Sequence, residues 1–75
     1  MSLVYVLMNT EPSLMESVLK EIKAIKGVVE AYMVYGVYDI IARISTDTMQ
    51  ELKDIISWKI RRLDKVRSTL TMIVV

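Results

Sequence analysis

"YMVYGVYDIIARI", residues 32–44, decides the fold. Two strand-like runs, "VVEAYMVY" (28–35) and "YDIIARI" (38–44), flank Gly36, one of only two glycines in the chain. Glycine at the first central position of a two-residue loop favours a type II′ hairpin turn, with Gly36 and Val37 at the tip. That turn fixes a register. Tyr35 faces Tyr38, Met33 faces Ile40 and Ala31 faces Ala42 on one wholly apolar side. On the other side Val34 faces Asp39, Tyr32 faces Ile41 and Glu30 faces Arg43. The last is an opposite-charge cross-strand pair, which supports the register.

Outward from the hairpin the pattern alternates between strand and helix. "LVYVLM" (3–8) is uncharged and β-branched, and reads as a buried strand. "NTEPS" breaks it. Pro12 suits a first helical turn, and Ser13 with Glu16 fits a capping box. Met15, Val18, Ile22 and Ile25 then recur at helical spacing, widened by Leu14 and Leu19, with Glu16, Lys20, Glu21 and Lys23 opposite. Gly27 follows, as at a helix end. After the hairpin, "STDT" supplies caps, and Thr48 with Glu51 makes a second capping box. Met49, Leu52, Ile56, Ile60 and Leu63 mark a second helix running to about Arg62. "KVRSTLTMIVV" closes the chain as a strand. The order β-α-β-β-α-β predicts a single α+β domain over residues 1–75. It is a ferredoxin-like sandwich: a four-stranded antiparallel sheet, order 4-1-3-2, with both helices on one face.

Composition narrows the chemistry. A 75-residue chain buries only about 60% of its unfolded surface, so a partner would help it. Neither cysteine nor histidine is present. Disulfides, the usual zinc and haem ligands, and Ser-His or thiol nucleophiles are therefore absent, and an enzyme is disfavoured. No cofactor is expected. Ten basic and nine acidic residues give a net charge of +1, no footprint for nucleic acid. No apolar run approaches a membrane span, and the start of the chain lacks signal-peptide character. A cytoplasmic location is expected.

The hydrophobic fraction is 53%, and the sheet explains where the excess goes. Two helices cover one face, and the other should alternate with polar residues if it meets water. Val4, Val6, Met8, Tyr32, Val34, Ile41, Ile73 and Val75 are expected on that second face and make it too apolar for a monomer. Sheet-on-sheet packing with a second copy, an isologous homodimer, is the simplest remedy. A monomer with an apolar sheet, or a patch for an unrelated partner, is the alternative. Trp58, beside the stripe of the second helix, reads as a core or interface anchor.

At this point the chain resembles the effector-binding domain of the leucine-responsive/asparagine-responsive (Lrp/AsnC) transcriptional regulators. "KGVVEAYMVYGVYDIIARI" resembles that family's strand–hairpin–strand, with Gly36, Tyr38 and Asp39 on a Gly-x-Tyr-Asp signature. "ISWKIRRLDKVRSTLTMIVV" resembles its second helix and last strand, with Ser68, Thr69, Leu70 and Thr71 on a Ser-Thr-x-Thr pattern. The resemblance implies a sensor of amino acids or related metabolites that dimerises through its sheets and assembles into higher oligomers. It places the effector at contacts between dimers near the hairpin. The family's helix-turn-helix domain has no counterpart here, which implies a stand-alone form without direct DNA recognition, with full-length regulators of the family as candidate partners for co-assembly.

With that resemblance, Tyr35, Gly36, Val37, Tyr38, Asp39, Thr69 and Thr71 become candidate effector-binding residues. A zwitterion needs an acceptor for its ammonium, which Asp39 offers. It needs donors for its carboxylate, which open backbone at Gly36 and the threonine hydroxyls offer. Tyr35 and Tyr38 offer apolar walls with polar tips. Each also has a plainer reading. Gly36 makes the turn, Asp39 bonds nearby backbone, and the threonines are ordinary strand residues. In the strand order 4-1-3-2, Asp39 and the threonines stand two strands apart, so a shared site would lie between subunits. The rival to a sensor is a structural or interaction oligomer with no working ligand site.

Overall fold

The computed structural model describes residues 2–75. Strand β1 (Ser2–Thr10) leads through a 3₁₀ turn (Pro12–Leu14) into helix α1 (Met15–Lys23). Strands β2 (Val28–Met33) and β3 (Ile40–Thr46) form the hairpin. Helix α2 (Met49–Asp54) continues as a π-helical stretch (Ile55–Ile60), and β4 (Val66–Ile73) ends the fold. The sheet order is β2-β3-β1-β4, with every neighbouring pair antiparallel. This is the ferredoxin-like α+β sandwich that the element order predicts.

The hairpin register is the expected one: Glu30 pairs with Arg43, Ala31 with Ala42, Tyr32 with Ile41 and Met33 with Ile40. Its turn is not. The ladder ends where Val34 N–H donates to the Asp39 carbonyl at 2.8 Å, and a loop of bends carries the chain between them. Tyr35 and Tyr38 do not pair. Gly36 has φ +155°, far from the φ near +60° of a II′ turn. Two forces open the loop. Its tip packs on nothing, with Tyr35 fully exposed and open space around Gly36. Its second half is held toward β1 instead, because the Asp39 N–H donates to the Met8 carbonyl at 2.9 Å.

The core sits between the helices and one sheet face. Val4, Val6 and Met8 of β1, Ala31 of β2, and Ile40, Ala42 and Ile44 of β3 are buried there against Val18, Ile22, Leu52, Ile56 and Ile60. This corrects the expected face of β1. Val4, Val6 and Met8 pair with Ile44, Ala42 and Ile40, so they point at the helices and cannot belong to an open-face contact. A strand apolar on both sides has no alternation to show which set faces in; pairing to β3 decides it. β4 is corrected for the same reason. Ile73, Thr71 and Thr69 pair with Val4, Val6 and Met8 and share the helix side, whereas Leu70 and Met72 share the open side with Leu7 and Tyr5. Val75 lies beyond β4, fully exposed.

The two capping boxes part company. Thr48 caps α2, accepting from the Glu51 N–H at 3.2 Å and donating its hydroxyl to Glu51 Oε1 at 3.3 Å. Ser13 makes no cap: the 3₁₀ turn intervenes, and α1 starts behind Leu14 without a side-chain hydrogen bond. Trp58 is not a core anchor. It is more than half exposed, with the Arg62 guanidinium 4.8 Å from its ring centre. No described helix is long and apolar enough to cross a membrane.

Candidate functional site

The open face of the sheet is built in rows running across the strands. Tyr32, Ile41, Leu7 and Leu70 form one row; Glu30, Arg43, Tyr5 and Met72 form the next; Ser45 and Leu3 begin a third. Leu3, Tyr5, Leu7 and Ile41 are half-buried, while Tyr32, Leu70 and Met72 are exposed. Tyr32 and Ile41 thus lie where the sequence placed them, and Leu3, Tyr5, Leu7, Leu70 and Met72 replace the misassigned positions. Glu30 and Arg43 are ion-paired, and the Tyr32 hydroxyl donates to Glu30 Oε2 at 2.7 Å. That bond and the carboxylate's negative charge raise the Tyr32 phenol above its ordinary value; Arg43 opposes them weakly.

At the loop end the face closes with a polar row. Asp39 Oδ2 accepts the Thr10 N–H at 3.1 Å. With its amide oriented to satisfy every neighbour, Asn9 accepts from Ser68 Oγ at 3.2 Å. It then donates to the Val37 carbonyl at 3.0 Å and to Asp39 Oδ2 at 3.3 Å. Asn9 opposite Ser68 continues the β1–β4 ladder. Asp39 therefore does a structural job, tying the loop to β1, and does it through one carboxylate oxygen. Asn9 and Ser68 were missed in the sequence. Their signal was parity: Asn9 follows Tyr5 and Leu7 at spacing two, so it shares their face.

Beside this row lies a cleft of about 430 Å³ lined by Met15, Met33, Val34, Tyr35, Gly36 and Asp39. It joins three of the seven candidate effector residues. Tyr38 is half-buried and Val37 stands in solvent at the tip. Thr69 and Thr71 are not brought to it. They lie on the helix side of β4, with β1 between them and Asp39, and the Thr71 hydroxyl oxygen is covered without a hydrogen-bond partner. A larger groove of about 790 Å³ opens at the opposite end, between the end of α1 and the start of α2, with Glu21, Asp47, Glu51 and Asp54 on its rim. These carboxylates are all exposed. No cluster of three or more acidic, histidine or cysteine side chains fit for a metal occurs among the described residues.

Comparison with known proteins fits this geometry. A family model described as the Lrp/AsnC ligand binding domain matches residues 3–75. The regulatory protein AsnC of Haemophilus influenzae is 38% identical over 58 residues, covering 77% of this chain and 39% of that protein. The chain thus spans about two fifths of that curated relative. The crystal structure of FFRP-DM1 superposes with a TM-score of 0.95 at 37% identity, covering all of both chains. The hypothetical protein PHS023 from Pyrococcus horikoshii gives 0.94 at 37% identity, covering all of this chain and 90% of that one. The same fold recurs at 9% identity, with a TM-score of 0.85, in a Neisseria meningitidis transcriptional regulator solved as its L-Met complex; the match covers 99% of this chain and 49% of that one.

Proposed function

The chain belongs to the Lrp/AsnC ligand-binding domain family, and from that premise we propose that it is a regulatory module that senses an amino acid or related small metabolite. It binds its effector where copies of the chain meet, and the bound effector biases assembly, and through assembly a transcriptional regulator. The observation that carries this reading is the loop-end cleft. Its volume of about 430 Å³ suits a small ligand. It has an apolar wall in Met15, Met33 and Tyr35, and a carboxylate in Asp39 with one oxygen uncommitted to Asn9 or Thr10. Asp39 is the acceptor for the ligand ammonium, and backbone beside Gly36, where no side chain blocks approach, receives the carboxylate.

The cleft is partly open to solvent in a single chain, and a second subunit closes it. The open sheet face, with Tyr32, Leu70 and Met72 exposed, is the surface through which two copies pair first. The larger groove at the opposite end is not favoured. It is the roomier space, yet its carboxylates stand in water. That the N. meningitidis regulator of this fold binds L-Met supports an amino acid as the ligand class. A ligand moves assembly only by binding the assembled state better than its parts.

Thermal denaturation with each of the twenty amino acids tests the reading, repeated on Asp39→Asn. Asparagine keeps an acceptor for the Thr10 N–H and removes the charge. One or more amino acids should raise the midpoint of the natural protein, and Asp39→Asn should lose that shift at equal ligand. If none raises it, the protein is an assembly module without a working sensor site. If Asp39→Asn responds like the natural chain, Asp39 is not the ammonium acceptor.

A further inference from the structure

Trp58 is the only tryptophan of the chain, and it stands 59% exposed. The helix that carries it runs without a break from α2 through the π-helical stretch. Leu52, Ile56 and Ile60 are its buried row. Two residues from each of these, a second row runs along the solvent side: Gln50, Asp54, Trp58 and Arg62, all exposed. Gln50 Nε2 donates to Asp54 Oδ1 at 3.0 Å, and the Arg62 guanidinium lies 4.8 Å from the Trp58 ring centre. The row is therefore one continuous surface turned away from the core. Tryptophan and arginine are the side chains that most often anchor a contact between proteins.

Charge along this helix is ordered. Asp47, Glu51 and Asp54 stand at its start, with Lys53 among them; Lys59, Arg61 and Arg62 stand at its end. All are exposed, and none is ion-paired within the chain among the described residues. The order suits the helix dipole, but the dipole gives no reason for an exposed tryptophan. Turned end for end, the same helix presents base where it presented acid, so it complements a copy of itself in antiparallel array. Beside the acidic half opens the groove of about 790 Å³, lined in part by Ala24, Ile25 and Ile55 and roomy enough for an indole. Carboxylates outnumber ammonium groups in its lining, four to two. Trp58 stands roughly 6–10 Å along the axis from Asp54 and Glu51, at ~1.5 Å per residue. Knob and groove thus share one face.

We propose that this helix face is a second contact between copies of the chain, twofold and antiparallel. Trp58 of each copy enters the acid-rimmed groove of the other, and Arg61 and Arg62 meet the carboxylates of Asp47 and Asp54 across the contact. The indole supplies burial. The charges set direction, because parallel helices would lay acid on acid and base on base. The contact belongs to the helix layer, on the other side of the sheet from the open face. It rests neither on the sheet pairing nor on the effector reading.

As the only tryptophan, Trp58 is its own reporter. Its emission and acrylamide quenching, followed with sedimentation velocity over one concentration series, test the contact. As copies associate, the emission should move to the blue and quenching should fall. By sedimentation, Trp58→Ala should weaken this association by about tenfold or more. Asp47→Lys/Asp54→Lys makes the face predominantly basic, and Arg61→Glu/Arg62→Glu makes it predominantly acidic. Each alone should keep Trp58 in water at every concentration; mixed in equal amounts, they should restore the blue shift. Leu70→Asp, on the open sheet face, should leave the shift in place. Circular dichroism of each variant at high dilution confirms the fold. An emission that ignores concentration overturns the proposal, whether or not the protein associates by sedimentation. So do charge-reversed variants that shift like the natural chain, or that both lose the shift and do not recover it on mixing. A shift lost in Leu70→Asp assigns the cover of Trp58 to the sheet contact and overturns it as well. The amino-acid response is read separately by thermal shift and survives or falls on its own.

Discussion

The two faces of the sheet are made of similar residues and meet different fates. On the covered side Val4, Val6, Met8, Ile40, Ala42 and Ile44 are wholly buried. On the open side Leu3, Leu7, Ile41, Leu70 and Met72 are half-buried or exposed. Hydrophobicity does not separate the two sets; connectivity does. Both helices are tethered to strand ends by short connections and land on the same face, which leaves the second face uncovered by either helix. The strands carry no charge on the covered side, whereas the open side holds an arginine and a glutamate that pair with each other. A covered face needs only volume. A face that must choose its partner needs polar information as well.

The sharpest way to break this contrast is a matched truncation on neighbouring positions of β3. Ile44→Ala opens a cavity under the helices and should cost about 2–5 kcal/mol, a large part of what so small a domain has. Ile41→Ala, three residues earlier on the open side, should cost the dilute monomer about 1 kcal/mol or less and act on self-association instead. Urea denaturation at low concentration, followed by sedimentation, reads both. Equal losses in the monomer would mean that the open face is already covered within one chain.

The two glycines extend the contrast from faces to loops. Gly27 has φ +104°, and a Cβ there would meet the Ile55 Cδ1 at 2.6 Å, with Thr46 and Ile44 just behind. Gly27→Ala therefore strains the backbone and pushes on the covered core, at about 1–3 kcal/mol. Gly36 has φ +155° but nothing within 4 Å, so Gly36→Ala bears only backbone strain, about 1 kcal/mol. Its larger effect should be on ligand response, because the new methyl would stand where the proposed effector's carboxylate is to approach. Of similar size is the cap on the helix that closes the core. Thr48→Ala should cost about 1 kcal/mol, while Ser13→Ala, at a position that caps nothing, should fall within about 0.5 kcal/mol of zero. Thermal midpoints of the four variants rank them directly.

Most of the fold was legible because its signals are local. Element order, the Glu30–Arg43 register and the Thr48 cap all follow from periodicity and neighbours close in sequence. What failed needed partners far away in the chain. β1 reads the same on both sides, so only its ladder to β3 tells that Val4, Val6 and Met8 face inward. β4 inherits its parity from β1, and Thr69 and Thr71 moved to the helix side with it. The II′ turn was a sound local reading of Gly36. It lost to the bonds by which Asn9 and Thr10, about thirty residues earlier, hold Val37 and Asp39. The candidate site was half legible for the same reason. Gly36 and Asp39 announce themselves in the hairpin, whereas Met15 and Asn9 enter only once α1 and β1 are in place.

The smallest effect lies in the open-face cluster and needs no loss of stability to be seen. The Tyr32 phenol donates to Glu30, and that bond and charge favour its protonated form, so it ionises above its ordinary value. For a group whose folded pKa is raised, the stabilisation is complete below the unfolded pKa, about 10 for tyrosine. It is lost as pH rises through the folded value. Phenolate absorbance should therefore show a tyrosine titrating above the ordinary range, and Glu30→Gln should bring it back toward the ordinary value. Concentration sharpens the test. If two copies pair through this face, Tyr32 leaves water in the assembled state, and its ionisation should move further up as protein concentration increases. A late tyrosine whose position ignores concentration would keep the intramolecular bond to Glu30 and count against the cluster's burial between copies.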